Sequence, residues 1–329
     1  MTLSRTCGLS PSTSSGLRAH GWPAAAGLAV GYLADRLLGD PRRGHPVAGF
    51  GAAATWLEAR CYADRHAAGL IYTGSLVGAA AALGAALERV SARRPVITIM
   101  TTALATWTVL GGRSLQLEGA TIATQLADRK LPAAREQVRN LVGRDTAELS
   151  TEEVARATVE SLAENASDAV VAPLLWGALA GLPGLLGYRA ANTLDAMTGH
   201  RSARYRRFGW AAARLDDLLN WVPARLAALV TAGWAPLVGG TTGRAIRVVR
   251  RDAGQHPSPN AGVIEAAFAG ALGVRLGGCN IYHGTVDDRG ILGDGRPVQV
   301  GDIAPARRLA SAVSLSALIM AVALRGSRS

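Results

Sequence analysis

The chain has 329 residues, of which 49% are hydrophobic and only 18% charged, below the quarter usual for a soluble domain. That balance excludes an ordinary water-soluble globule and points to membrane helices. Lys and Arg exceed Asp and Glu by a net +11, but the arginines are dispersed over every polar loop without interleaved aromatics. Nucleic acid is therefore excluded as a partner, and anionic lipid or an anionic substrate remains.

Residues 1–21, rich in Ser, Gly, Pro and Thr, read as a disordered extension, with 22–329 as a single membrane domain. Apolar runs follow at 22–38, 67–87, 95–112, 169–187, 218–238 and 309–324. The second and third carry no charge. The first holds Asp35 and Arg36, the fourth is broken by Pro173, Pro183 and glycines, the fifth holds Asn220, Pro223 and Arg225, and the sixth is short. The pattern predicts an all-α polytopic integral membrane helix bundle with roughly four to six membrane segments, some broken or re-entrant. Six full crossings would put the polar motifs on opposite faces. Either 169–187 dips in and returns, or the motif helices are buried in protein at membrane depth. The best candidate for extended chain is 296–303. Cys7, Cys61 and Cys279 are odd in number and lack a C-x-x-C pair, so they indicate neither a disulfide framework nor zinc.

Four polar clusters interrupt the apolar background. "DRLLGDPRRGHPVAGFG" (35–51) places Asp40 and His45 in a turn made by Pro41 and Pro46, which serves equally as a helix stop. "LVGRDTAELSTEEVARATVESLAENASD" (141–168) offers Arg144, Asp145 and Thr146 in a turn, then a helix start at Thr151. On that helix Glu160, Glu164 and Asp168 span roughly an 80° arc and about 12 Å. Acids so spaced repel unless a cation or an arginine sits between them. "YRAANTLDAMTGHRSARYRRFG" (188–209) carries Asn192 and Asp195, then Arg201, Arg204, Arg206 and Arg207, a basic patch suited to phosphate or to anionic lipid. "RLDDLLNWVPARL" (214–226) puts Asp216, Asp217 and Asn220 at the mouth of an apolar run, where ionisable groups are a functional signal by default. The pooled ligands are hard oxygens, which suit Mg²⁺ arriving with phosphates. The stretch 251–284, rich in Gly and Pro with His256, Ser258 and Asn260 expected exposed in a turn, reads as a loop and has no Walker or G-x-G-x-x-G spacing.

Six stretches carry a resemblance: "DRLLGDP…HPV", "LVGRDT", "VESLAENASDAVVAPL", "YRAANTLDAM", "YRRFGWAAARLDDLLNWVPARL" and "SPNAG…EAAFAGALGVRLGG". The chain resembles the CobD/CbiB family, the membrane-bound adenosylcobinamide-phosphate synthases of cobalamin biosynthesis, with matches in order over most of its length. Ala169 stands where members often have glycine, and "GHRSARYR" varies in its middle.

The resemblance implies amide formation between the free propionate carboxylate of adenosylcobyric acid and the amine of aminopropanol or its phosphate. It implies a Mg²⁺ and ATP requirement and a multi-pass cell-membrane protein with its active site facing the cytoplasm. On this reading Glu160, Glu164, Asn165 and Asp168 form the catalytic set. Substrate binding falls to Asp40, His45, Arg144, Asp145, Asn192, Arg201, Arg204, Arg206, His256, Ser258 and Asn260, and the metal set is Glu164, Asp168, Asp195, Asp216, Asp217 and Asn220. Two other classes stay open: a non-catalytic sensor similar to the AmpE proteins, and a Mg²⁺-dependent intramembrane lipid transferase.

Overall fold

Stretches dominated by Ala and Leu, good helix formers, make helix the prevailing element, and Pro or Gly marks many of the boundaries. The computed structural model describes residues 21–41, 44–200, 202–282 and 285–328. Its helices are α1 (Gly21–Leu38), α2 (Pro46–Cys61), α3 (His66–Ser91), α4 (Pro95–Val109), α5 (Gly112–Ala127), α6 (Leu131–Val138) and α7 (Thr151–Ala166). After a π-helical turn at Ser167–Val171 come α8 (Ala172–Thr198), α9 (Tyr205–Phe208), α10 (Trp210–Trp234), α11 (Thr242–Asp252), α12 (Ala261–Leu272) and α13 (Ile303–Gly326). The predicted extension lies outside the described residues except for Gly21, which begins α1.

Five helical segments are long and apolar enough to cross a membrane: His66–Ser91, Pro95–Ala127, Thr151–Thr198, Trp210–Val238 and Val300–Gly326. They cover the expected apolar runs except 22–38. There Asp35 is fully buried and accepts the Arg113 N–H at 3.3 Å, supplying an acceptor to the first turn of α5. Gly27 and Gly31 let α1 lie directly on α4, since a Cβ at either would come within 2.5 Å of Thr102 or Thr106. The outward faces of α3 and α4 expose Leu70, Ile71, Leu83, Val96, Met100 and Leu104, as a lipid-facing surface requires.

The segment Thr151–Thr198 is not one straight rod. Residues 20 apart on a straight helix are about 30 Å apart, yet the Tyr188 hydroxyl lies 2.9 Å from the Asp168 carbonyl. The chain enters along 172–180, reverses at Gly181 (φ 65°, ψ −150°) and returns through Pro183. The N–H of Leu182, orphaned by the break, donates to Glu88 Oε1 at 3.0 Å, and Arg325 holds the same oxygen at 3.3 Å. The re-entrant alternative is therefore the one adopted. It returns residues 188–198 to the level of the acidic stripe.

The expected loop 251–284 instead contains α12 and a strand, with His256 and Asn260 buried rather than exposed, and a second strand lies where helix was expected. β1 (Val274–Tyr282) pairs antiparallel with β2 (Thr285–Leu292), while β3 (Arg296–Pro297) adds a short parallel edge. Only the first two residues of the expected extended piece 296–303 are strand, and Val300–Asp302 is a 3₁₀ turn. The glycines at 277 and 278 mask the alternation of buried Val274, Leu276 and Asn280 with exposed Arg275 and Cys279, because they sit at a break in register between β1 and β2. The sheet is clamped to α7 by Glu160, which accepts from Arg144 at 2.5 Å and from the Gly277 N–H at 2.8 Å. Arg144 and Arg156 also bond Asn280, and Arg156 reaches the Gly277 carbonyl.

Three stability outcomes follow. Gly181→Ala forces a side chain into a backbone conformation reserved for glycine and onto Glu88, so it costs about 1–3 kcal/mol, read as a lowered thermal midpoint in detergent. Gly187→Ala, whose Cβ would meet Ala81 at an ordinary 3.5 Å, leaves the midpoint unchanged or raised. Glu160→Gln leaves Arg144 buried without its counter-charge and costs about 3–5 kcal/mol, measured the same way.

Candidate functional site

α7 begins on a capping box: Ser150 Oγ accepts the Glu153 N–H, and the Glu153 carboxylate accepts the Ser150 N–H. The box fixes where α7 starts, and hence which face carries Glu160, Glu164 and Asp168. The π-turn then alters the register of that face. The Ala172 N–H bonds Ser167 rather than Asp168, and Pro173 has no N–H to offer. The Asp168 carbonyl is left without a helical donor, and the Tyr188 hydroxyl approaches it from the returning arm.

That hydroxyl also lies 2.9 Å from Asn220 Oδ1, so its one proton serves either oxygen. Asn220, fully buried on α10, donates to Asp216 Oδ2 at 3.0 Å, and Asn192 on α8 donates to Asp216 Oδ1 at 3.2 Å. The network thus aims one carboxylate with two amides. Asp195 lies nearly one turn beyond Asn192, and Asp217 pairs with Arg214 at 3.6 Å. Asp168 lies within electrostatic range of Glu164, Asp195 and Asp216, and Asp195 and Asp216 in turn lie within range of Glu164 and Asp217; all five are half-buried. Three helical elements supply one acidic face.

Glu160 belongs elsewhere: with Arg144 and Arg156 it forms the buried clamp on the sheet, so an arginine rather than a bound cation neutralises that end of the stripe. Asn165 turns back to the Ser161 carbonyl at 2.9 Å. Arg144 is buried in the clamp, whereas neighbouring Asp145 is exposed. His45 caps α2 by accepting the Val47 N–H, with its ring 4.0 Å from Asp40. Asp40 is also within electrostatic range of Arg189 on the returning arm, which ties this turn to the acidic face.

The basic patch divides. Arg204 bonds Glu58 at 2.9 Å and stacks on Tyr62, so its guanidinium is engaged at the α2–α9 contact. Arg206 is exposed and Arg201 lies outside the described residues. In the turn before α12, His256 Nδ1 and Ser258 Oγ accept backbone N–H groups. Asn260 donates to the Asp217 carbonyl at 2.8 Å and accepts from Arg225 at 3.2 Å, pinning this turn to α10 beside the acids.

Three residues went unremarked in the sequence. Glu265 on α12 is 1% exposed, with both carboxylate oxygens lacking hydrogen bonds and His256 Nε2 3.9 Å away. Burial, with Glu160 and Glu164 nearby, pushes its carboxyl well above the usual range. A lone acid in "GVIEAAFAGAL" was a readable signal. Tyr188 and Arg189, in "YRAANTLDAM", had none beyond their polarity at the end of an apolar run.

The donor set is entirely hard oxygen, as Mg²⁺ requires. Among the described residues, no three Asp, Glu, His or Cys side chains converge as a ready-made metal cage. A Mg²⁺ held here would keep several waters and take one or two of these carboxylates together with phosphate oxygens.

The family model described as CobD/Cbib protein matches residues 28–310. A Mycobacterium tuberculosis (strain ATCC 25618 / H37Rv) protein named Cobalamin biosynthesis protein CobD is 52% identical over 301 residues, covering 91% of this chain and 95% of its own. Proteins of the same name from Geobacter metallireducens and Rhodobacter capsulatus are 44% and 41% identical, covering 82% and 91% of this chain and 87% and 98% of their own. No solved structure matches the chain. The match runs from α1 into α13 and takes in every element of the acidic face, and on that ground the chain belongs to the CobD/CbiB family.

Proposed function

We propose that this chain is the adenosylcobinamide-phosphate synthase of cobalamin biosynthesis. It joins the free propionate carboxylate of adenosylcobyric acid to the amine of aminopropanol or its phosphate, at the cytoplasmic side of the cell membrane. The observation that carries the reading is the convergence of Glu164, Asp168, Asp195, Asp216 and Asp217 on one half-buried face at the edge of an apolar bundle. Carboxylates so gathered in an apolar setting are costly without a cation. Family membership, and relatives named for cobalamin biosynthesis, supply the substrate class.

The chemistry asks for this kind of face. A carboxylate resists attack by an amine until one oxygen becomes a leaving group, and phosphoryl transfer from ATP achieves that. Amide formation then forms the C–N bond and breaks the C–O bond to phosphate, with ADP and phosphate as by-products. Mg²⁺ bound by Glu164 and Asp168, with Asp195, Asp216 or Asp217 opposite, would neutralise the phosphate charge. The protein's own groups orient and move protons. Asn192 and Asn220 hold Asp216 in one rotamer, and a carboxylate of the face takes the proton that the amine loses. No observation favours the sensor or lipid-transferase readings.

The test supplies purified protein in detergent with adenosylcobyric acid, aminopropanol phosphate and Mg-ATP, and detects the amide by mass spectrometry. Product forms with the wild type and disappears with EDTA. Glu164→Gln lowers kcat by a factor on the order of 10²–10⁴ without moving the thermal midpoint, and Asp168→Asn raises half-saturating Mg²⁺. Folded wild-type protein that yields no amide rejects the reading. Near-full rates at unchanged Mg²⁺ demand in both variants reject the role given to the acids.

A further inference from the structure

Arg189 stands on the returning arm of α8, one residue from the tyrosine that closes the hairpin. A guanidinium carries five N–H donors. Here the one hydrogen bond made is from Nη1 to Asn192 Oδ1, at 3.5 Å, the outer limit of such a contact. Its Nε is buried with no partner. Leaving a charged donor unsatisfied at such depth is expensive, and proteins tolerate it where a ligand completes the set.

The other arginines with an unpartnered buried Nε differ in one respect or another. Arg144 places its remaining nitrogens on Glu160 and Asn280, and Arg325 places one on Glu88. Arg307 packs its stem on Gly119 of α5, outside the acidic face. Arg204, the apparent anion binder of the sequence, is held by Glu58. Arg189 alone among these combines open donors with a place beside Asp168 and Asp40, both within electrostatic range. Its charge is balanced while its hydrogen bonds are not. Asp40 Oδ1 is likewise buried without a hydrogen bond.

We propose that Arg189 is the residue that holds the phosphate when the amine substrate is aminopropanol phosphate. The inference rests on the amide-forming reading above and names a determinant of its amine specificity. A planar fork grips two oxygens of a phosphomonoester, and a dianion shared between that fork and a cation on the acidic face has both charges met. The propionate carboxylate is the poorer occupant, since an arginine partner would stabilise the charged form that must be lost before amide formation. Asp40, whose Oδ1 has no hydrogen bond and only the His45 ring at 4.0 Å, suits the ammonium end of the same small molecule.

The experiment compares the wild type, Arg189→Gln and Arg189→Lys with aminopropanol phosphate and with free aminopropanol. Binding of aminopropanol phosphate to the full detergent-solubilised chain is measured in parallel by calorimetry. Arg189→Gln raises KM for the phosphorylated amine by roughly tenfold to a hundredfold and abolishes the calorimetric signal, while kcat/KM for the free amine, which has no phosphate for the fork to hold, changes by less than about threefold. Arg189→Lys keeps the charge without the fork and gives a smaller rise selective for the phosphorylated amine, which also carries the test should the glutamine variant fail to fold. Equal losses on both amines, a rise confined to KM for adenosylcobyric acid, or unchanged kinetics overturn the inference. Arg189-dependent binding by a wild type that forms no amide rejects the ligase reading and leaves the phosphate site standing.

Discussion

The site depends on one backbone carbonyl that the helix cannot satisfy. Pro173 has no N–H, and the Ala172 N–H is already engaged by Ser167, so the carbonyl of Asp168 must find its donor elsewhere. The Tyr188 hydroxyl provides it from 20 residues further along, which is feasible only because the chain reverses at Gly181. That reversal is held at its far end by Glu88 and Arg325. A polar bond at one end and an ion pair at the other thus turn an apolar stretch into a hairpin. Motifs that full crossings would separate end on the same side.

The charged groups then sort by what each has to satisfy. Glu160 and Arg144 are buried at 4% and 6% exposure and satisfy one another with the help of Gly277, Arg156 and Asn280. This is a joint between α7 and the sheet. Glu164, one turn on, has Arg289 and Arg144 within electrostatic range, whereas Asp168, two turns on, meets carboxylates from α8 and α10, and like charges gathered in this way call for a cation. The arginines divide along similar lines. Arg204 and Arg325 meet carboxylates of the chain, whereas Arg189 keeps donors free beside the acids. Charge type says little about which side of the division a residue falls on. Its available partners decide.

Much of the architecture was legible. The uncharged runs 67–87 and 95–112 had to be helices against lipid, since only helix satisfies its own backbone there, and α3 and α4 follow them closely. Acids at i, i+4 and i+8 had to share a face by helical geometry, and Asp195, Asp216 and Asp217 were marked by the cost of ionisable groups near apolar runs. Glycines 277 and 278 hid the β-hairpin, because local alternation is broken where the register shifts. Glu265 was overlooked although a lone acid in an apolar helix is itself a signal.

What the sequence determined by itself was composition and local periodicity: an all-α membrane chain, the approximate positions of its helices, and a family whose motifs stand in order along it. Tertiary structure alone decided pairing. Whether Glu160 faced a cation or Arg144 depends on a loop 16 residues earlier, and the level at which Asp195 lies depends on a turn at Gly181 propped by a glutamate from α3. These are contacts between residues distant in the chain. Helical spacing says which side chains share a face, and it carries no information about what that face meets.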